Sequence, residues 1–175
     1  MKDNRGFTLI ELIVVMIIVG IVAIGSMVGY NLHGTGHIKS TVSRINAMLD
    51  YVQVESMTQN QKYYMVVEKK FADGKYYLSV QTESGGTRVT QSEEKLELKD
   101  GVITFQNKGD STVYTVNSTS ALPADSIKIE VCFKKDTGAL LLNSSNQIIT
   151  TIGVSAAGRS YSIHLVEITG KHYIE

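Results

Sequence analysis

Gly6-Phe7-Thr8-Leu9-Ile10-Glu11 opens an apolar run that continues from Leu12 to Gly25, and its reading decides the rest of the chain. Ile, Val, Leu, Met, Ala and Gly succeed one another almost without interruption, with a single carboxylate, Glu11, just inside the start. From Phe7 to Tyr30 the segment is about 24 residues, or ~36 Å of helix at ~1.5 Å per residue, long enough to cross a bilayer. Glu11 is the anomaly, because a carboxylate deep in hydrocarbon costs roughly 2.5–3.5 kcal/mol on insertion scales and needs a partner or access to water. Lys2 and Arg5 precede the run and no Lys or Arg comes after it until Lys39. That bias keeps the N-terminus in the cytoplasm and exports the remainder. A secretory signal would stop at a short apolar core and a small-x-small site. Here the apolar character runs on, and Val22-Ala23-Ile24 is a poor site.

The stretch Gly6-Phe7-Thr8-Leu9-Ile10-Glu11-Leu12 resembles the class III signal of type IV prepilins and pseudopilins. The resemblance implies that a prepilin peptidase cuts between Gly6 and Phe7, releasing a leader of residues 1–6, and methylates the new amino group of Phe7. It also implies that Glu11, five places into the mature chain, pairs with the amino terminus of a neighbouring subunit. An ammonium and a carboxylate, each costly alone in lipid, then offset one another as subunits stack. Many major pilins carry a proline near position 28; Val28 stands there instead, which favours a minor pilin or pseudopilin. Gly20, Gly25 and Gly29 weaken the helix by roughly 1 kcal/mol each relative to Ala and suit either close helix–helix approach in lipid or local flexibility.

Composition narrows the class. The chain has 175 residues, with 17 Lys+Arg against 17 Asp+Glu, so no global basic field points to nucleic acid, and a DNA partner is unsupported by net charge. Cys132 is the single cysteine, so no intramolecular disulfide forms, a departure from the many pilins that close a C-terminal loop with one. Once the N-terminal helix is set aside, roughly 110–140 residues remain, enough for one domain with a modest core.

Asn31-Leu32-His33-Gly34-Thr35-Gly36-His37 reads as a kink or short interruption. His33 and His37 have the spacing of a metal pair, but the flanking glycines and the want of a third ligand favour solvated histidines. Ile38, Val42, Ile45, Leu49 and Val52 then recur at helical spacing, an amphipathic helix ending near Thr58 to Gln61 whose stripe is the seam against the protein's own sheet. From Lys62 the period changes to two. Tyr63–Glu68 and Lys75–Gln81 read as strands about a turn at Asp73-Gly74. Leu96–Leu98 and Val102–Phe105 flank Lys99-Asp100-Gly101 as a second hairpin, and Val113–Val116 comes next. Ile127–Phe133 reads as one strand with Lys128, Glu130 and Cys132 on the face opposite its apolar residues. Ala139–Leu142 and Gln147–Ile152 make a further pair, and Ser160–Ile168 and Lys171–Ile174 turn at Thr169-Gly170.

The expected fold is α+β and pilin-like: a long N-terminal helix, half membrane and half amphipathic, packed on an antiparallel β-sheet head. Its divisions are a leader at 1–6, a transmembrane and assembly helix at 7–30, an amphipathic helix at 31–61 and a β-rich head at 62–175. The passage from Ile45 to Val67, a helix running through Gln59-Asn60-Gln61 into a strand, also resembles H-type minor pseudopilins of type II secretion and FimT-like minor pilins. That likeness implies a head of two packed sheets. Catalytic chemistry is not signalled. Gly34-Thr35-Gly36 and Gly85-Gly86 lack the flanks of a phosphate loop, and His164 sits in an alternating strand as a sheet-surface histidine. The tyrosine doublets at 63–64 and 76–77 place one ring on each sheet face, and Lys69, Lys70, Lys75, Lys134 and Lys135 read as solvated hairpin tips. No enzyme activity, cofactor or metal is expected. The expected partners are prepilin peptidase, other pilin subunits in a helical filament and the cytoplasmic membrane. The alternative reading is a single-pass anchored protein whose exported head binds DNA or polysaccharide.

Overall fold

The computed structural model describes residues 9–98, 100–118 and 126–175; for residues 9, 11, 20–36, 118 and 126 it describes the backbone alone. One long helix, α1 (Leu9–Thr58), leads into antiparallel strands. A four-stranded sheet A has the order β3-β2-β1-β8, formed by β1 (Lys62–Lys69), β2 (Tyr76–Ser84), β3 (Thr87–Lys95) and β8 (Ile129–Cys132). A five-stranded sheet B has the order β11-β10-β9-β4-β5. Its strands are β4 (Val102–Asn107), β5 (Val113–Thr115), β9 (Ile149–Ala156), β10 (Arg159–Leu165) and β11 (His172–Ile174). The short pair β6 (Asn117–Ser118) and β7 (Ser126–Ile127) lies outside both.

The stripe Ile38, Val42, Ile45, Leu49 and Val52 is wholly buried, each residue at 2% exposure or less. It packs in one core with Met65, Val67, Leu78 and Val131 of sheet A and with Ile103, Ile152, Val154 and Ile163 of sheet B. Helix and sheets therefore share a single apolar interior. Burying five aliphatic side chains at about 1.5–3 kcal/mol each fixes the C-terminal half of α1 to the head. Two sheets against one helix is the arrangement that the second, weaker likeness implied.

Four expectations change. The short interruption expected at Asn31–His37 is absent, since α1 stays helical through it; the other expectation there, a kink, is compatible with a continuous helix. A helical glycine costs only about 1 kcal/mol relative to alanine, less than the loss of helical hydrogen bonds on both sides of a break. The second hairpin is replaced by another. Leu96–Leu98 forms no strand, Lys99 lies outside the described residues, and β2 pairs instead with β3 across Gly85-Gly86. Both of those glycines sit at positive φ, 60° and 81°, as a two-residue hairpin turn needs. The third concerns Ile127–Phe133, which divides at Lys128 into β7 and β8. Lastly, Ala139–Leu142 does not pair with Gln147–Ile152. Leu140 bridges Phe133 and the Leu141 N–H donates to the Cys132 carbonyl, which extends sheet A, whereas β9 lies between β4 and β10 in sheet B. The turns at Asp73-Gly74 and Thr169-Gly170 stand where expected, with Gly74 and Gly170 at φ 65° and 64°.

Candidate functional site

The residues on which the sequence reading rests lie at the start of the chain. Gly6 and Phe7 fall outside the described residues, as does the leader at 1–6. Glu11 lies within α1, near the start of the described residues. The turns behind it are unlike those of a surface helix. Ile10 and every residue from Leu12 to Val19 are between 48% and 70% exposed, and all are large and apolar. Eight successive positions at about 100° apart pass almost twice round the helix, so α1 has no polar side there. A helix that is apolar all round belongs among other helices or in lipid, because so much continuous apolar surface is costly in water. Among the described residues, no helix is long and apolar enough to cross a membrane.

In the head, the most developed polar cluster lies on the face of sheet A turned away from α1. Glu130 is only 4% exposed, and its Oε1 takes Arg88 Nη1 at 3.0 Å and Lys128 Nζ at 2.8 Å. Its Oε2 accepts the Ser144 N–H at 3.3 Å. The Arg88 guanidinium also lies over the Tyr64 ring, 4.0 Å from its centroid, while the Tyr64 hydroxyl donates to Glu83. Burial alone pushes the Glu130 carboxyl upward. The Lys128 hydrogen bond and charge, the Arg88 charge and the Ser144 N–H together outweigh it and hold the group below the ordinary glutamate value. Burial first, then the bond to Glu83, raises the Tyr64 hydroxyl to about 12.

Cys132 lies beside this cluster, packed with Tyr64, Val66 and Leu141. Its Sγ reaches the Leu142 carbonyl at 3.6 Å, and burial lifts the thiol to about 11. A thiol so far from its anion is a small apolar side chain and no nucleophile. The sequence put Glu130 and Cys132 on the face away from the core, and they are there, but that face is covered as well. An acidic residue between Ile129 and Val131, in a strand with few other charges, was the signal that a cation would meet it.

The remaining candidates are structural. Tyr64 and Tyr77 take the outer face of sheet A, and Tyr63 and Tyr76 pack toward the core, one ring per face in each doublet. His164 lies on sheet B, with Nε2 3.1 Å from Glu175 and its ring stacked on Tyr173. His37 stands 3.8 Å from Glu97, away from any trio of ligands, and among the described residues no group of three His, Cys, Asp or Glu could hold a metal ion. Two of the lysines at the hairpin tips are tied to neighbours: Lys70 to Glu93 at 2.6 Å, and Lys135 to the Asn60 side chain at 3.0 Å.

Residues 1–27 match the family described as the prokaryotic N-terminal methylation motif. No curated protein and no solved structure matches the chain. The matched segment contains Gly6, Glu11 and the exposed apolar turns from Leu12 to Val19. The match supports reading residues 1–27 as the class III signal of a type IV pilin-like precursor, a motif that implies processing by prepilin peptidase and assembly with other pilin subunits.

Proposed function

We propose that the chain is a minor pilin or pseudopilin, a structural subunit of a type IV pilus-like, type II secretion or competence-type filament, and not a catalyst. The observation that carries the proposal is the all-round apolar segment Leu12–Val19, exposed along its whole length and lying within the methylation-motif match. The precursor is held in the cytoplasmic membrane by residues 7–30 until the Gly6–Phe7 bond is cut. Processed subunits then meet side by side. Glu11 receives the methylated amine of Phe7 from a neighbour, apolar helices close into a bundle, and the head moves to the outside of the filament, periplasmic or extracellular.

Glu11 is the residue to alter. Glu11→Val should leave processing and membrane insertion intact and abolish or strongly reduce filament incorporation, scored by shearing and immunoblot. Incorporation at the wild-type level would refute the pairing. A head that binds DNA is the competing reading. It predicts salt-dependent retention of the processed protein on DNA, and the pairing of Arg44, Lys70, Arg88 and Lys108 with carboxylates argues against it.

A further inference from the structure

The two sheets turn different kinds of face outward. Sheet A carries charged side chains that answer one another, as Lys70 does Glu93 and Arg88 does Glu130. On sheet B, Ile103, Phe105, Ile152, Val154, Ile163 and Leu165 point into the core. Its outward positions are therefore 102, 104 and 106 on β4, 151, 153 and 155 on β9, and 160, 162 and 164 on β10. None of these is Lys, Arg, Asp or Glu, and none is buried. The register sets them in rows across the strands. Thr104, Gly153 and Ser162 stand side by side, and next to them Gln106, Thr151 and His164 lead to Tyr173 on β11. Gly153 keeps the middle flat, since a Cβ there would come within 2.6 Å of the Thr104 hydroxyl. Apolar groups stand at the margins. Val102 and Val113 are 39% and 61% exposed on one side, and on the other the Tyr173 ring is 56% exposed and stacked on His164.

We infer that the outward face of sheet B binds a neutral polysaccharide, laid across the strands with one sugar ring against Tyr173. The inference is independent of filament assembly. Three observations select the ligand. A nucleic acid needs cations along its phosphates, and the outward positions of β4, β9 and β10 hold no Lys or Arg. A protein partner is met by an apolar centre inside a polar rim, and here that order is reversed, with hydroxyls in the middle and apolar groups at the edge. A sugar chain carries hydroxyls along its length, each both donor and acceptor. So do Thr104, Thr151, Ser155 and Ser162, which answer in either direction. The Tyr173 ring adds an apolar surface with one polar end, on which the C–H face of a sugar can lie. From Tyr173 through Gln106 to Val113 the row crosses the whole sheet. Strands about 4.8 Å apart make that roughly 19 Å, room for several sugar rings.

The test uses the full-length chain in a detergent that has no sugar headgroup. Cellohexaose, chitohexaose and mannohexaose are the neutral probes, and polygalacturonate and duplex DNA are the charged ones. At least one neutral hexasaccharide should bind with a dissociation constant of about 1 mM or tighter, and added salt should leave that binding unchanged. Tyr173→Ala and Ser162→Lys should each weaken it about tenfold or more, whereas Lys70→Ala on sheet A should not. A urea unfolding midpoint for each variant separates loss of the face from loss of the fold. Should a variant unfold, a photoreactive derivative of the bound hexasaccharide decides on the parent chain: adducts on β4, β9, β10 or β11 uphold the inference, and adducts elsewhere overturn it. Binding of none of the three neutral probes, binding of the charged polymers alone, or binding that survives both Tyr173→Ala and Ser162→Lys would also overturn it, and would leave the filament reading standing.

Discussion

Replacing Glu130 with glutamine keeps the shape of the side chain and removes the charge that Arg88 and Lys128 answer. Loss of one partner of a fully buried pair costs roughly 3–5 kcal/mol, but both cations keep some access to water, so about 1–3 kcal/mol is expected here. Urea unfolding at neutral pH measures it. The pH dependence has a definite sign. The folded carboxyl lies below its ordinary value of 4.5, so its contribution is complete above that value and disappears as pH falls through the lower folded one. The parent should therefore lose stability in that acid window, and Glu130→Gln should lose less of it. Cys132 gives a second reading at this scale. Buried and raised to about 11, it should react with an aromatic disulfide at pH 8 more than about a hundredfold more slowly in the folded head than in denaturant. Equal rates would mean an open sheet face. Its unpaired state was legible from a count of one, whereas its burial depended on Leu141 and Leu142 folding back beside it after the turn at Lys134–Gly138.

At the scale of elements, the periodic segments were legible and the polar ones were not. The stripe from Ile38 to Val52 repeats at helical spacing with little interruption, and it is the seam that both sheets share. Leu49→Ala should cost about 2–5 kcal/mol in denaturant unfolding, because the core closes on that position from three directions. By contrast β3 carries Thr, Arg, Gln, Ser, Glu and Lys, with Val89 alone as a large apolar residue, and an edge strand of that kind has no alternation to betray it. Only Gly85-Gly86 marked it. The division of Ile127–Phe133 at Lys128 and the separation of Ala139–Leu142 from β9 are also set by tertiary pairing, which local pattern does not carry. Turns can be tested by contrast. Gly158 and Gly170 both have positive φ, 75° and 64°, but a Cβ at Gly158 meets nothing within 4 Å, whereas one at Gly170 would collide with the Gly138 carbonyl and with Gln53. Gly158→Ala should cost about 1 kcal/mol, near the left-handed penalty alone. Gly170→Ala should cost at least about 2 kcal/mol more in thermal or urea unfolding, since the Gly138 and Gly170 turns must separate from α1.

At the scale of the whole molecule, a β-rich head is built on the C-terminal half of one helix of 50 residues, about 75 Å long at ~1.5 Å per residue, whose other half carries the bare apolar turns. The head meets its own needs, with a shared core, paired charges and short outer strands on sheet B. The helix does not, since Leu12–Val19 leaves apolar surface open on every side. That imbalance makes sense in a subunit completed by its neighbours, and it was readable in the first 25 residues of the sequence. Assembly by this route requires a free amine at Phe7, brought there by a cut after Gly6. Intact-mass and N-terminal peptide analysis of the protein recovered from filaments or membranes tests this directly. The expected chain begins at Phe7 and carries one methyl group on its amine; an assembled, working chain that still carries residues 1–6 would contradict it.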